Sequence, residues 1–420
     1  MRTLFLIVRK SLANHALSTV VTVLSVALGV GLVMAVFNVS TQSRAAFAGG
    51  PVGFDAVLGA RGSKLQLVLN TVFHLETSPG NLPWSLYETI AADRRIELAI
   101  PYAVGDNYRG YRIVGTTREL FTEFELVEGR GLEIPPPGRA FQPDKMEAVI
   151  GATVARDLEL RIGDVIHPYH GIVFDERAKH AEQYVIVGLV EPTNSPSDRV
   201  IWIPIEGIYR MGGHVLRGSG EAYEPSPEAE IPDGHKEVSA VMLTFRGGNL
   251  QTGQSLAQEI NNQGKVATLA WPIGGIMLEL FDKLGWVSRV LELVAYLVVA
   301  VAAGGILASL TNSMNERRRE FAILRALGAK RRTVFSAIVL EAGAISFFGS
   351  LVAFPVAAAI LAVAAIVVRR QTGVVLEPFA LHPAYLWAPV GAVVLGMLSG
   401  LLPAAQAYST EVAKHLGATN

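Results

Sequence analysis

Residues 315–332, Asn315-Glu316-Arg317-Arg318-Arg319-Glu320-Phe321-Ala322-Ile323-Leu324-Arg325-Ala326-Leu327-Gly328-Ala329-Lys330-Arg331-Arg332, lie between two long apolar stretches, and their reading decides the fold. Seven Lys or Arg stand against two Glu in this segment. Cationic residues so close to the ends of apolar stretches set orientation under the positive-inside rule, which predicts that the segment faces the cytoplasm.

Working outward, hydrophobic residues make up 50% of the chain and charged residues 17%, with a formal net charge of −1. That apolar fraction is ordinary for a globular chain, so its distribution decides the class. It falls in blocks. Ala16 to Val39 carries no charge, Val290 to Leu310 carries only Glu292, Val334 to Val368 only Glu341, and Tyr385 to Leu402 none. A span needs about 20 apolar residues to cross about 30 Å of hydrocarbon, so four membrane-spanning helices are expected. The near-neutral balance offers no basic surface for nucleic acid.

Arg2, Arg9 and Lys10 precede the first block, and Ala46-Phe47-Ala48 has the look of a signal-peptide cleavage site. The apolar core of a signal peptide runs only about 7–15 residues, so the block reads as a retained span. With the N-terminus and the basic segment inside and four spans in all, the C-terminus is also expected inside. Arg369 and Arg370 fall on the outer side, where arginine at a helix end can snorkel to headgroups.

The stretch from 48 to 275 then forms one extracytoplasmic domain, long enough for its own core. The chain contains no cysteine, so no disulfide supports it. Strand-like runs occur at Arg112–Thr116, Ala148–Ile150, Tyr184–Val190, Val200–Ile205, Val238–Phe245 and Val266–Ala270, with helical patterns at Ser85–Ala92, Thr153–Leu160 and Leu250–Ile260. The expected class is α+β. Pro135–Pro137 and Glu224–Gly234 read as loops. From Ile276 to Leu310 the helical pattern is continuous, and Leu280, Leu284, Val287, Leu291 and Val294 recur by four and three. Such a repeat suits a stalk helix packed along a partner; the alternative is a separate short helix that breaks near Gly285. Small residues four apart, Ser25 with Gly29, Ala27 with Gly31, Ala300 with Gly304 and Gly396 with Gly400, suit close contacts between spans.

The stretch Glu316 to Ala329 resembles the signature of ABC-transporter permeases typified by MacB and FtsX, approximately E-R-x-x-E-[IF]-x-x-x-R-A-[LI]-G-A. Ala148-Val149-Ile150-Gly151, Ala155, Leu158, Gly163-Asp164 and Tyr184-Val185-Ile186-Val187-Gly188 resemble the MacB-type periplasmic core. The resemblance implies an α-helical membrane protein with one plus three transmembrane helices and a large α+β extracytoplasmic domain between the first and second. It also implies that the basic loop is a coupling helix docked on an ABC ATPase, through Glu316, Arg317, Arg318, Glu320, Phe321, Leu324, Arg325, Ala326, Leu327, Gly328 and Ala329. Met314, Phe321 and Leu324 share one helical face, with Leu327 at its edge. The same pattern would serve an anchor on the membrane surface.

The organisation expected is 1–47 for the cytoplasmic N-terminus, first span and stalk, 48–275 for the external domain, 276–311 for stalk and second span, and 312–333 for the coupling helix. The third span takes 334–368, a short external loop 369–384, the fourth span 385–403 and a cytoplasmic tail 404–420. The implied location is the bacterial cytoplasmic (inner) membrane. Implied partners are a separate ABC ATPase subunit, a second copy of the chain, the lipid bilayer and, for export, a periplasmic adaptor and outer-membrane channel. Two outputs stay open: extrusion of a substrate, or FtsX-like activation of an external enzyme without transport.

The chain is not expected to be an enzyme or to carry a cofactor. Gly248-Asn-Leu-Gln-Thr-Gly253-Gln254-Ser255 has phosphate-loop glycine spacing, but Gln254 replaces the lysine; it reads as a strand-to-helix turn capped by Thr252 or a neighbour. His167, His170 and His180 lie close in sequence. They are weak candidates for a divalent metal, against the plainer reading of exposed, unpaired histidines. Glu341, a carboxylate inside a span, is costly there and reads as structural, reaching the cytoplasmic interface or pairing with Arg331 or Arg332.

Overall fold

A computed structural model describes residues 2–49, 52–211, 231–248, 250–263, 265–316, 323, 330–377 and 380–409. The chain divides into two units: one of Met1–Ser43, Leu284–Ile366 and Leu376–Asn420, the other of Arg44–Lys283 with Val367–Val375.

Strands build the second unit: β1 (Ala56–Ala60), β2 (Leu82–Pro83), β3 (Ile96–Tyr108), β4 (Tyr111–Thr116), β5 (Glu147–Ile150), β6 (Val165–Ile166), β7 (Tyr169–His170), β8 (Tyr184–Leu189), β9 (Val200–Pro204), β10 (Glu237–Val238), β11 (Ala240–Phe245) and β12 (Ala267–Ala270). The main sheet runs β12-β1-β11-β3-β4-β9-β5-β8-β6, with β7 paired to β3; β10 and β2 form a separate pair. The β4–β9 and β5–β8 pairs are parallel and the remaining pairs antiparallel. Successive side chains of a strand point to opposite faces, and here both faces are buried. Val241, Leu243 and Phe245 enter one core, with Ile201 and Ile203; Ala240, Met242, Val200 and Trp202 enter the other. Helices Trp84–Ala91, Ala152–Asp157, Ile205–Arg210 and Leu250–Gln263 contribute to the first core, and Lys64–Thr71, Glu119–Thr122 and Ile273–Lys283 to the second.

β3 and β4 meet in a two-residue hairpin in which Tyr108 pairs with Tyr111. Arg109 and Gly110 both have positive φ, 49° and 85°, as the twist of a tight hairpin requires. The register slips between Val104 and Asp106, a bulge that re-aims the side chains beyond it.

The first unit is helical. Among the described residues, four helices are long and apolar enough to cross a membrane: Ala16–Phe47, Gly285–Met314, Arg331–Thr372 and Ala384–Gln406. A separate helix, Arg2–Asn14, precedes them. Val26, Val30, Met34, Ala295, Ala302, Ile306, Leu310, Ile338, Ala342 and Ala388 form their common core, while Leu17, Val301 and Leu386 point outward. Of the small-residue pairs, a Cβ on Gly31 would lie 2.8 Å from Val356 Cγ1 and 3.1 Å from the Ala353 carbonyl, and one on Gly396 would overlap Ser346. Gly29 and Gly400 are also in contact, with Val299 and Ala342. The Ala300–Gly304 pair differs, since nothing lies within 4 Å of a Cβ at Gly304.

Three expectations change. The Ile276–Leu310 pattern is two helices, Ile273–Lys283 and Gly285–Glu316, separated at Leu284. Glycine opens the second and contributes little to helix continuity. The third apolar helix does not stop at Val368 but runs through Arg369 and Arg370 to Thr372, where Gly373, with φ 81°, supplies the left-handed residue that ends a helix. Thr252 is no cap: it lies inside Leu250–Gln263.

Candidate functional site

At one end of the helical unit four segments meet. The Ser11 hydroxyl donates to Glu341 Oε1, and both residues are buried. His15 Nδ1 lies 3.5 Å from Glu316 Oε2, whose other oxygen accepts from Asn312 Nδ2 at 3.0 Å. The Arg331 guanidinium sits 5.6 Å above the Tyr408 ring. This end therefore gathers the Arg2–Asn14 helix, the end of Gly285–Glu316, the start of Arg331–Thr372 and the end of Ala384–Ser409. At the opposite end Asn38 Nδ2 donates to Tyr385 Oη at 2.8 Å, and Gln42 exchanges hydrogen bonds with the Glu377 backbone at 2.7 and 3.0 Å.

The basic segment begins where this cluster ends. Glu316 closes one helix and Arg331 opens the next, and Ile323 is exposed. Arg317, Arg318, Arg319, Glu320, Phe321, Leu324, Arg325, Ala326, Leu327, Gly328 and Ala329 lie outside the described residues. Glu341 meets Ser11, a partner that spacing could not reveal because 330 residues separate them.

The stalk residues divide. Leu280 is half-buried against the second core of the sheet-containing unit. Leu284, Val287, Leu291 and Val294 are exposed on the single chain, whereas Ala295, Ala302, Ile306 and Leu310 are buried within the helical unit. From Val287 on, the repeat and the packed face are thus different stripes of one helix.

In the second unit the sheet brings His170 and His180 together with Asp106. Both imidazoles approach one oxygen: His170 Nδ1 and His180 Nε2 each lie 3.4 Å from Asp106 Oδ1. Asp106 is fully buried, and its hydrogen bond and charge raise the pKa of His170. His167 is not part of this group. The remaining sequence motif has a packing explanation: a Cβ at Gly253 would lie 2.2 Å from Trp271, so glycine there admits an indole.

The same domain holds a buried imidazole that sequence did not single out. Burial first, and then the charges of Arg112 and Arg199, lower the pKa of His74 from 6.5 to about 3. Near it the end of the third apolar helix is part of this unit. Arg199 donates to the Arg370 carbonyl, and Val375 N–H donates to Asn194 Oδ1 at 2.7 Å.

Residues 19–249 match the MacB-like periplasmic core domain, and residues 292–412 match the FtsX-like permease C-terminal family. An uncharacterised ABC transporter permease of Methanocaldococcus jannaschii is 24% identical over 303 residues, which cover 70% of this chain and 66% of that protein. The periplasmic region of MacB from Actinobacillus actinomycetemcomitans aligns over 55% of this chain and 94% of its own length at 12% identity, with a TM-score of 0.34. The extracellular domain of the noncanonic ABC-type transporter YknZ, from Gram-positive bacteria, aligns over 51% and 98% at 12% identity, with a TM-score of 0.29. The MacB-like match alone spans more than half of the chain, and with the FtsX-like match over the three later apolar helices it makes this chain a member of the MacB/FtsX-type ABC-transporter permeases.

Proposed function

We propose that the chain is the membrane subunit of an export system, in which a separate ABC ATPase drives movement that the apolar helices carry to the external domain. The observation that carries this reading is the order of parts: a basic segment between the second and third apolar helices, and a domain with two buried cores between the first and second. Closure of the ATPase pushes the basic segment at Phe321 and Leu324. The helices transmit the push, and the external domains of two copies change their separation to expel a substrate collected outside the bilayer. The exposed row Leu284, Val287, Leu291 and Val294 faces the second copy. N- and C-termini lie in the cytoplasm, in keeping with the cationic residues of 315–332.

The chain does no nucleotide chemistry of its own in this account, because its one phosphate-loop-like stretch lacks the lysine. The test is ATP turnover in lipid nanodiscs. The purified chain alone should give none, and addition of its cognate ABC ATPase should give hydrolysis that responds to the permease. Turnover by a homogeneous preparation of this chain would remove the reading.

A further inference from the structure

We propose that Asp106, His170 and His180 form a binding site for one divalent transition-metal ion of the zinc class. The three side chains come from different places: Asp106 from the bulge of β3, His170 from β7, and His180 from the stretch leading to β8. Their ligand atoms all lie within 4.8 Å of one another. Two imidazoles and a carboxylate are a donor set suited to such ions.

The spacing of the donors suits a shared ion. Both imidazole nitrogens stand 3.4 Å from Asp106 Oδ1. Ligand atoms about 2.0–2.1 Å from a tetrahedral ion are about 3.3–3.4 Å apart. Burial points the same way. Asp106 is 0% exposed and His180 9%, while the His170 side chain is 58% exposed. The exposed imidazole leaves the ion a way in.

The frame around the site is fixed without the ion. Asn107, the neighbour of Asp106, donates from Nδ2 to the carbonyls of Tyr169, Gly171 and Val173 at 3.3, 2.8 and 3.4 Å. His180 N–H donates to the Pro168 carbonyl at 2.9 Å. The loop that carries both histidines is thereby held against β3. An ion on Asp106 would add a direct link between that loop and the central sheet, and three protein ligands leave it a position open to water or to a group from another molecule.

The test uses the full chain, purified in detergent and stripped with chelator. Zn²⁺ titration by calorimetry, with metal content measured after dialysis, should give one ion per chain. His170→Ala removes an exposed ligand with little loss of packing. Its affinity should fall by more than the ~10–100-fold that outer-sphere changes cost, and its metal-free thermal unfolding should match the native chain. Asp106→Asn should also weaken binding, whereas His167→Ala should leave it unchanged. Co²⁺ in place of Zn²⁺ should give visible ligand-field bands in the native chain that His170→Ala abolishes. Absence of stoichiometric Zn²⁺ binding, or binding that persists unchanged in His170→Ala, would overturn the proposal.

Discussion

The Ser11 hydroxyl donates to Glu341 Oε1, tying the Arg2–Asn14 helix to the helix that begins at Arg331. A carboxylate within an apolar helix is costly unless satisfied, so this contact gives Glu341 its structural reading. Ser11→Ala should lower stability by about 1–3 kcal/mol, the usual cost of removing a hydrogen-bond donor from a buried acceptor. Glu341→Gln keeps an acceptor and should cost less. Thermal unfolding in detergent measures both, and equal stability of Ser11→Ala and the native chain would discount the contact.

Packing among the apolar helices gives a contrast between two glycines. At Gly31 a Cβ would meet a side chain and a backbone carbonyl, and the carbonyl cannot move aside. Gly31→Ala should therefore destabilise by about 1–3 kcal/mol, as overpacking does. Gly304 has open space around it, so Gly304→Ala should be neutral or stabilising by up to about 1 kcal/mol through helix propensity. Unfolding temperatures in detergent, where each chain can be held monomeric, decide between them. The reverse order would mean that the helices pack differently.

Acid sensitivity of the sheet-containing unit should trace partly to His74. Its folded pKa, about 3, lies below the ordinary 6.5, so below pH 6.5 the unfolded chain takes up a proton that the folded chain refuses. Stability from this group is complete above pH 6.5 and declines as pH falls toward 3, by up to about 1.4 kcal/mol per pH unit. His74 has φ 56°, which asparagine tolerates, so His74→Asn is a suitable control. Urea unfolding followed by tryptophan fluorescence should show a shallower decline between pH 6.5 and 4 for that variant. Identical slopes would contradict the assignment.

Much of this architecture was legible in the sequence because burial leaves a local trace. Charge-poor blocks announced the four apolar helices, and short runs such as Ala148–Ile150 and Val200–Ile205 announced strands buried on both faces. β3 was missed, although it is the longest strand at 13 residues. Pro, Gly, Asp and Asn are depleted in strands, yet Pro101 precedes the start of pairing with β4 at Ala103, and the Gly105–Asp106 step is a bulge. Asp106 was missed as a ligand candidate for a related reason. It stands 64 residues before His170, and the β3–β7 pairing brings them together. The helix break at Leu284 was the alternative reading of a repeat that continues across it.

Orientation can be checked directly, because the chain has no native cysteine. Leu250→Cys and Leu381→Cys introduce thiols at exposed positions of the sheet-containing unit and of the connection between the third and fourth apolar helices. Both should react with an impermeant maleimide on right-side-out vesicles. Ile323→Cys, also exposed, should react only after permeabilisation. Labelling of Ile323→Cys in sealed vesicles, with protection of the other two, would reverse the topology.

The central claim, that ATPase-driven movement enters through the basic segment, is tested most directly by coupled ATP hydrolysis in nanodiscs holding the chain and its cognate ABC ATPase. Burial of Phe321 or Leu324 against the partner should contribute about 1.5–3 kcal/mol each, and a carboxylate there would add a desolvation cost. Phe321→Asp and Leu324→Asp should weaken co-purification and abolish the permease-dependent part of hydrolysis, while Arg319→Ala retains most of it. Full co-purification and undiminished coupled hydrolysis in both carboxylate variants would contradict the account.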